Sequence, residues 1–101
     1  DNEFVTLSTI HSAKGLEWRV VFVISALDGR FPSGRTIENV DDLEEERRLM
    51  YVACTRAKDQ LYITYPTNIY DRESGIILMK PSRFISDLDK KSFEYISVYM
   101  E

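Results

Sequence analysis

VVFVISAL, residues 20–27, is the stretch on which the fold turns. It is almost unbroken apolar sequence, rich in β-branched residues, and it stops at Asp28 and Gly29. A strand with one wet face alternates apolar and polar residues. A strand covered on both faces does not, and such strands belong to parallel α/β sheets. The run has the length of a buried strand and falls far short of the roughly 18 residues that a membrane span needs. Upstream, VTLSTI (5–10) reads as a second short strand, β-branched throughout. The segment between Ile10 and Val21 is too long for a tight hairpin and barely enough for a crossover. A loop with about one helical turn at HSAK (11–14) is expected there.

Downstream, DGRFPSGRTIENVDD (28–42) carries Gly29, Pro32 and Gly34 and reads as an exposed loop. LEEERRLMYVACTRAK (43–58) is the clearest helix. Asp41 or Asp42 can cap it, and Glu44, Glu45 and Glu46 lie near the positive end of its dipole. Arg56 and Lys58 are expected in its last turn, and Leu49, Met50, Ala53, Cys54 and Ala57 form an apolar face at helical spacing. QLYITYP (60–66) reads as a strand ended by Pro66. The signal then weakens, although IILM (76–79) is apolar. Ser82 can cap a short helix over RFISDL (83–88), and FEYISVYM (93–100) reads as a last strand or a tail. The order strand, strand, helix, strand fits the edge of an α/β layer.

A chain of 101 residues is one domain at most, and 44% hydrophobic residues suffice for a core. The net charge of -4 argues against a general polyanion binder but leaves room for a local basic site. Cys54 is single, so no internal disulfide can form, and a reducing, cytoplasmic setting is the simpler expectation. DNEF (1–4) has neither a basic nor a long apolar region, so it does not read as a signal peptide. The chain lacks an initiator methionine and begins almost directly with a strand, so a piece of something larger is expected.

Two stretches carry the chemistry. TIHSAKGLEW (9–18) holds the only histidine and the only tryptophan around one glycine. Gly15 permits a close backbone approach or a positive φ, at the C-terminal end of the first expected strand, where open α/β sheets bind ligands. His11, Lys14 and Glu17 recur at spacing three. On a helical turn His11 and Lys14 can hold a phosphate, and Glu17 can accept hydrogen bonds from ribose hydroxyls. A solvated connector with a partly buried Trp18 explains the same residues, and spacing leaves both readings open. A lone histidine cannot build a metal site, so metal catalysis within this chain is disfavoured.

In EEERRLMYVACTRAK (44–58), Arg56 shares one helical stripe with Glu45 and Val52. A guanidinium beyond small residues can point across an interface and bind phosphate in a bidentate way. The plainer reading is an amphipathic helix with an acidic start and a basic end. Arg47 and Arg48 are expected to pair with the preceding acids or a neighbouring segment. In DGRFPSGR (28–35), Phe31 and Pro32 can dock on the domain or on a partner, while Arg30 and Arg35 can touch nucleic acid. The tyrosines at 51, 62, 65, 70, 95 and 99 form no stacking platform, and Cys54 reads as packing. The sequence contains no G-x-x-x-x-G-K-S/T phosphate loop and no acidic pair closing a strand. If it handles nucleotide, it holds half of the site.

TIHSAKGLEW resembles motif V of superfamily 1 DNA helicases of the UvrD/Rep/PcrA type, and EEERRLMYVACTRAK is similar to their motif VI. The intervening FP loop, LYITYP (61–66) and PSRF (81–84) extend the resemblance over residues 4 to 88. It implies a partial RecA-like (P-loop NTPase-like) parallel sheet with flanking helices. Residues 1–101 would be the C-terminal portion of the second RecA-like domain, 2A, with 1–66 spanning the motif V to motif VI core and 67–101 an extension. It implies Arg56 as an arginine finger on the γ-phosphate, and Glu17, Gly15 and Lys14 beside the nucleotide. Thr9, His11 and Lys14 would contact single-stranded DNA. The cofactor implied is ATP with Mg²⁺, in a site contributed mostly by the first RecA-like domain. The implied activity is 3′–5′ translocation and unwinding, with the remaining helicase domains of the same chain as partners and no membrane. The isolated chain would neither hydrolyse ATP nor unwind DNA. The helicase part of a helicase–nuclease subunit, or a non-catalytic nucleic-acid or protein binding module, are the alternative readings.

Overall fold

The computed structural model describes residues 5–98; DNEF (1–4) and Tyr99, Met100 and Glu101 lie outside the described residues. Of the run at 20–27 only the first half lies in a strand, β1, Trp18–Val23, and the strand expected over 60–66 begins and ends earlier, as β2, Ala57–Ile63. The two pair in parallel, with Val21 opposite Leu61 and Val23 opposite Ile63. Parallel partners need a crossover. Here it is the loop 24–39 followed by α1, Val40–Thr55. An α/β unit with a small parallel sheet is therefore present.

Several expectations change. No strand forms over 5–10: Val5 is 87% and Leu7 92% exposed, and no described strand runs beside them to accept their backbone hydrogen bonds. Among the described residues β1 is closely packed on one face only. Val21 and Val23 face the core, whereas Val20 and Phe22 are exposed, and Phe22 stacks on its register partner Tyr62 at 4.6 Å. The cap of α1 is Asn39, whose Oδ1 accepts the Asp42 N–H at 3.1 Å, and not Asp41 or Asp42. The helix ends at Thr55, so Arg56 is its C-cap and Lys58 already belongs to β2.

The core joins Val23, Ala26, Met50, Ala53, Phe84 and Ile85. Leu43 and Cys54 pack against it half-buried, and burial raises the Cys54 thiol pKa, as suits a packing residue rather than a nucleophile. Beyond β2, the weak segment resolves into an antiparallel hairpin, β3 Asn68–Asp71 with β4 Gly75–Leu78. Gly75 has φ +79°, a turn conformation that glycine adopts without strain. Ser82 caps a one-turn helix, α2 Arg83–Ser86, accepting the Phe84 N–H at 3.1 Å. A 3₁₀ turn follows at Lys90–Ser92, and the described residues of FEYISVYM, 93–98, form no strand.

The FP loop docks on its own domain. Pro32 is fully buried, and the Phe31 ring meets Phe84 edge-on at 5.6 Å. The loop start is tied to α2 by Asp28, whose Oδ1 accepts the Arg83 N–H at 2.8 Å. Its two oxygens also accept from the Arg83 guanidinium at 3.2 and 3.1 Å. Burial by itself pushes the Asp28 carboxyl up. The Arg83 side-chain and backbone hydrogen bonds, with the charges of Arg83 and Lys80, outweigh that and leave it below the ordinary value. A depressed folded pKa adds stability that is complete above the unfolded value of 3.8 and is lost as pH falls through the lower folded value. Asp28→Asn is therefore expected to flatten the acid limb of the stability–pH curve. At neutral pH it should cost about 1–2 kcal/mol, below the full worth of charge-assisted bonds because the Arg83 side chain is partly exposed. Urea titrations of the two proteins from pH 7 to pH 2 read both effects.

Candidate functional site

The connector before β1 is a turn, as expected at HSAK. The Ala13 N–H bonds the Thr9 carbonyl at 3.1 Å and the Lys14 N–H bonds the His11 carbonyl at 3.3 Å. Ala13 is buried and pins the turn to the domain. The turn is released at Gly15, where φ is +82° and a Cβ would meet nothing within 4 Å. Glycine is thus required by backbone conformation and not by crowding. The chain then enters β1, and the Trp18 N–H donates to the Arg56 carbonyl at 2.9 Å. One hydrogen bond therefore joins the end of the first stretch to the end of the second.

These two stretches wall one cleft of about 560 Å³. Ile10, His11, Lys14 and Gly15 come from the turn, and Glu45, Arg48, Leu49, Val52 and Arg56 from α1. The stripe of Glu45, Val52 and Arg56 read from the sequence does face one place. His11 and Lys14 meet there, while Glu17 and Thr9 do not line the cleft. Glu17 is exposed just before Trp18, and the Thr9 hydroxyl accepts the Ser12 N–H at 3.1 Å, a local cap on the turn.

Charge in the cleft is unevenly balanced. Arg48 is held by Glu45 at 2.5 Å, as its spacing foretold, and Arg47 reaches Glu44 at 3.4 Å and Asp87 at 2.5 Å. Neither Lys14 nor Arg56 has an acidic partner among the described residues. Arg56 is half-buried; its Nη2 donates to the Thr55 hydroxyl at 3.2 Å, and its Nε is buried with no hydrogen-bond partner among the described residues. One nitrogen of the guanidinium is thus desolvated without a partner, which suits it to donate to an anion. Arg48 and Leu49 were not read as cleft residues. The signal that finds them is the recurrence 45, 48, 49, 52, 56, one face of a 3.6-residue period.

A larger hollow, about 690 Å³, lies between Tyr62, Tyr65 and the segment 93–98. Its walls are mostly apolar and tyrosine-rich, with Glu94 the only charged residue among the described ones, so it offers an anion no cationic partner. Among the described residues no cluster of three or more His, Cys, Asp or Glu is placed to hold a metal ion. No described helix is long and apolar enough to cross a membrane.

A parallel β–α–β unit with a cation-lined cleft at one end is the class of structure these observations define. The model of the UvrD-like helicase C-terminal domain matches residues 1–68, and the chain belongs to that family. A probable DNA helicase II homolog of Mycoplasma capricolum subsp. capricolum is 46% identical over 96 residues, covering 95% of this chain and 13% of the relative. The ATP-dependent DNA helicase Rep of Buchnera aphidicola subsp. Acyrthosiphon pisum is 46% identical over 93 residues, 90% of this chain and 14% of the relative. DNA helicase II of Escherichia coli is 43% identical over 94 residues, 91% of this chain and 13% of the relative. The chain thus spans about an eighth of the length of the curated relatives it matches.

Proposed function

We propose that this chain is the C-terminal part of the second RecA-like motor domain of an ATP-dependent DNA helicase that works in the cytoplasm. Residues 1–66 form its motif-bearing core and 67–101 an extension. The observation that carries the reading is the convergence of Lys14 and Arg56 on one cleft, with no acid paired to either among the described residues. The buried, unpartnered Nε of Arg56 fits a phosphate oxygen brought from outside the chain. The names of the relatives, ATP-dependent and DNA helicases, point to the same ligands.

In this reading Arg56 is the arginine finger. It would stabilise charge on the terminal phosphate, a role for a rigid fork that cannot lose its proton. Lys14 and the Gly15 backbone would lie beside it, and Glu17, next to the Trp18–Arg56 link, would reach the ribose. ATP with Mg²⁺ supplies the phosphoanhydride that is hydrolysed, and the acidic metal ligands belong to the first RecA-like domain. Thr9, His11 and Lys14 would grip the backbone of single-stranded DNA. Because Lys14 faces both ligands, closing of Arg56 onto phosphate and tightening on DNA become one motion. Alternating grip then gives stepping, 3′ to 5′ by family likeness.

The test is ATP turnover by the full-length polypeptide with and without single-stranded DNA. Turnover that rises with DNA, and DNA affinity that changes with a non-hydrolysable ATP analogue, are the expected results. DNA binding with a steep salt dependence and no response to nucleotide would instead mean a plain single-strand binder.

A further inference from the structure

The loop DGRFPSGR enters none of the roles above, yet it makes the most specific polar contact on α1. Glu46, half-buried, accepts the Ser33 N–H at Oε1 and the Ser33 hydroxyl at Oε2, both at 3.2 Å. The same hydroxyl lies 3.4 Å from Thr36 Oγ1, but its single proton goes to the nearer, charged acceptor. Ser33 is no mobile surface group. Its neighbour Pro32 is fully buried, the Gly29 N–H bonds the Pro32 carbonyl at 2.9 Å, and Phe31 is wedged against Phe84.

We propose that Glu46 is a positioning residue for ATP hydrolysis: its double hydrogen bond to Ser33 fixes α1 on the packed loop that carries Phe31 and Pro32, and thereby aims Arg56. The inference rests on the arginine-finger reading above. Apolar burial on α1 lies in its second half, at Met50 and Ala53, whereas in the first half only Leu43 packs on the core and Val40 is exposed. What holds the first half is polar: Glu46 to Ser33, and Arg47 to Asp87 and over the Phe84 ring at 5.1 Å. Glu46 and Arg56 are separated by about 15 Å of one continuous helix, which transmits rotation as a rod. A turn of about 10° about the helix axis displaces a side chain about 6 Å from that axis by about 1 Å. Misplacement on that scale is enough to cost up to about a hundredfold in rate. Of the two ties, the Ser33 contact is the more constraining, since both carboxylate oxygens are engaged by one residue of a packed loop.

The experiment compares Glu46→Ala, Glu46→Gln and Ser33→Ala in the full-length polypeptide, by DNA-stimulated ATP turnover at saturating ATP and by KM for ATP. Glu46→Ala is expected to lower kcat about tenfold with KM within about twofold. Glu46→Gln, which keeps an acceptor for the Ser33 N–H, is expected to recover most of the loss. Ser33→Ala, which keeps the backbone bond, should fall in between. Full turnover by Glu46→Ala overturns the proposal, as does a loss that Glu46→Gln does not recover or that appears in KM. If Glu46→Ala fails to fold, full turnover by Ser33→Ala overturns it equally. An unaltered protein without DNA-stimulated turnover would instead remove the helicase reading itself.

Discussion

Arg56→Ala in the full-length polypeptide is expected to lower DNA-stimulated ATP hydrolysis about a thousandfold or more while nucleotide binding is largely kept. A thousandfold is about 4 kcal/mol of transition-state stabilisation, what one well-placed guanidinium supplies in phosphoryl transfer. The position allows so clean a loss. The bonds that hold Arg56 in place are backbone ones: its N–H to the Ala53 carbonyl at 3.2 Å and its carbonyl to the Trp18 N–H at 2.9 Å. Alanine keeps both. The side chain contributes only one bond, to the Thr55 hydroxyl, and a buried Nε without a partner, so its removal takes little from stability. Arg56→Lys should not restore the rate, since a point charge cannot reproduce the planar fork. Unchanged hydrolysis by Arg56→Ala would make Arg56 a capping residue of an ordinary helix, and the helicase assignment of this cleft would fall with it.

How far the sequence foretold this cleft depends on what each feature needs. The stripe on α1 was legible because helical periodicity is local: Glu45, Val52 and Arg56 project together whatever surrounds them. The pairing of Arg47 and Arg48 with acids was legible for the same reason. The docking of α1 against the turn was not, because it depends on β1 and β2 meeting in parallel, which no window of sequence contains. VTLSTI shows the opposite limit: its β-branched residues favour a strand, but without a neighbour to bond, Val5 and Leu7 stay in solvent. VVFVISAL is apolar on both faces and so predicts cover on both, yet Val20 and Phe22 are exposed in the structure. At the start of α1 the aspartates were plausible caps, and Asn39 took the role because Val40 already has helical geometry. The FP loop kept two readings until packing decided between them, and it chose its own domain.

That packing yields the second large effect: Phe84→Ala is expected to cost about 3–5 kcal/mol, although Phe84 does not line the cleft. Phe84 is only 4% exposed and sits where three elements meet. Its ring takes Phe31 on one side at 5.6 Å and the Arg47 guanidinium at 5.1 Å, while the residue itself belongs to α2. A helix of one turn has no stability of its own, so the loss of its buried ring also loosens α2. The loss also loosens the wedge that holds Phe31 and, through it, the loop carrying Ser33. Hydrogen exchange of the α1 and β2 amides in the full-length polypeptide should therefore show protection lowered by about two to four orders of magnitude. Tyr70→Ala, an equally large truncation at a residue 76% exposed, is the matched control and should change it hardly at all. If the two substitutions lowered protection alike, the core at Phe84 would not be what holds α1 to the loop. If Phe84→Ala alone lowers it, the helix that carries Arg56 at its C-cap is held in place by the aromatic contact at its midpoint, Arg47 over Phe84.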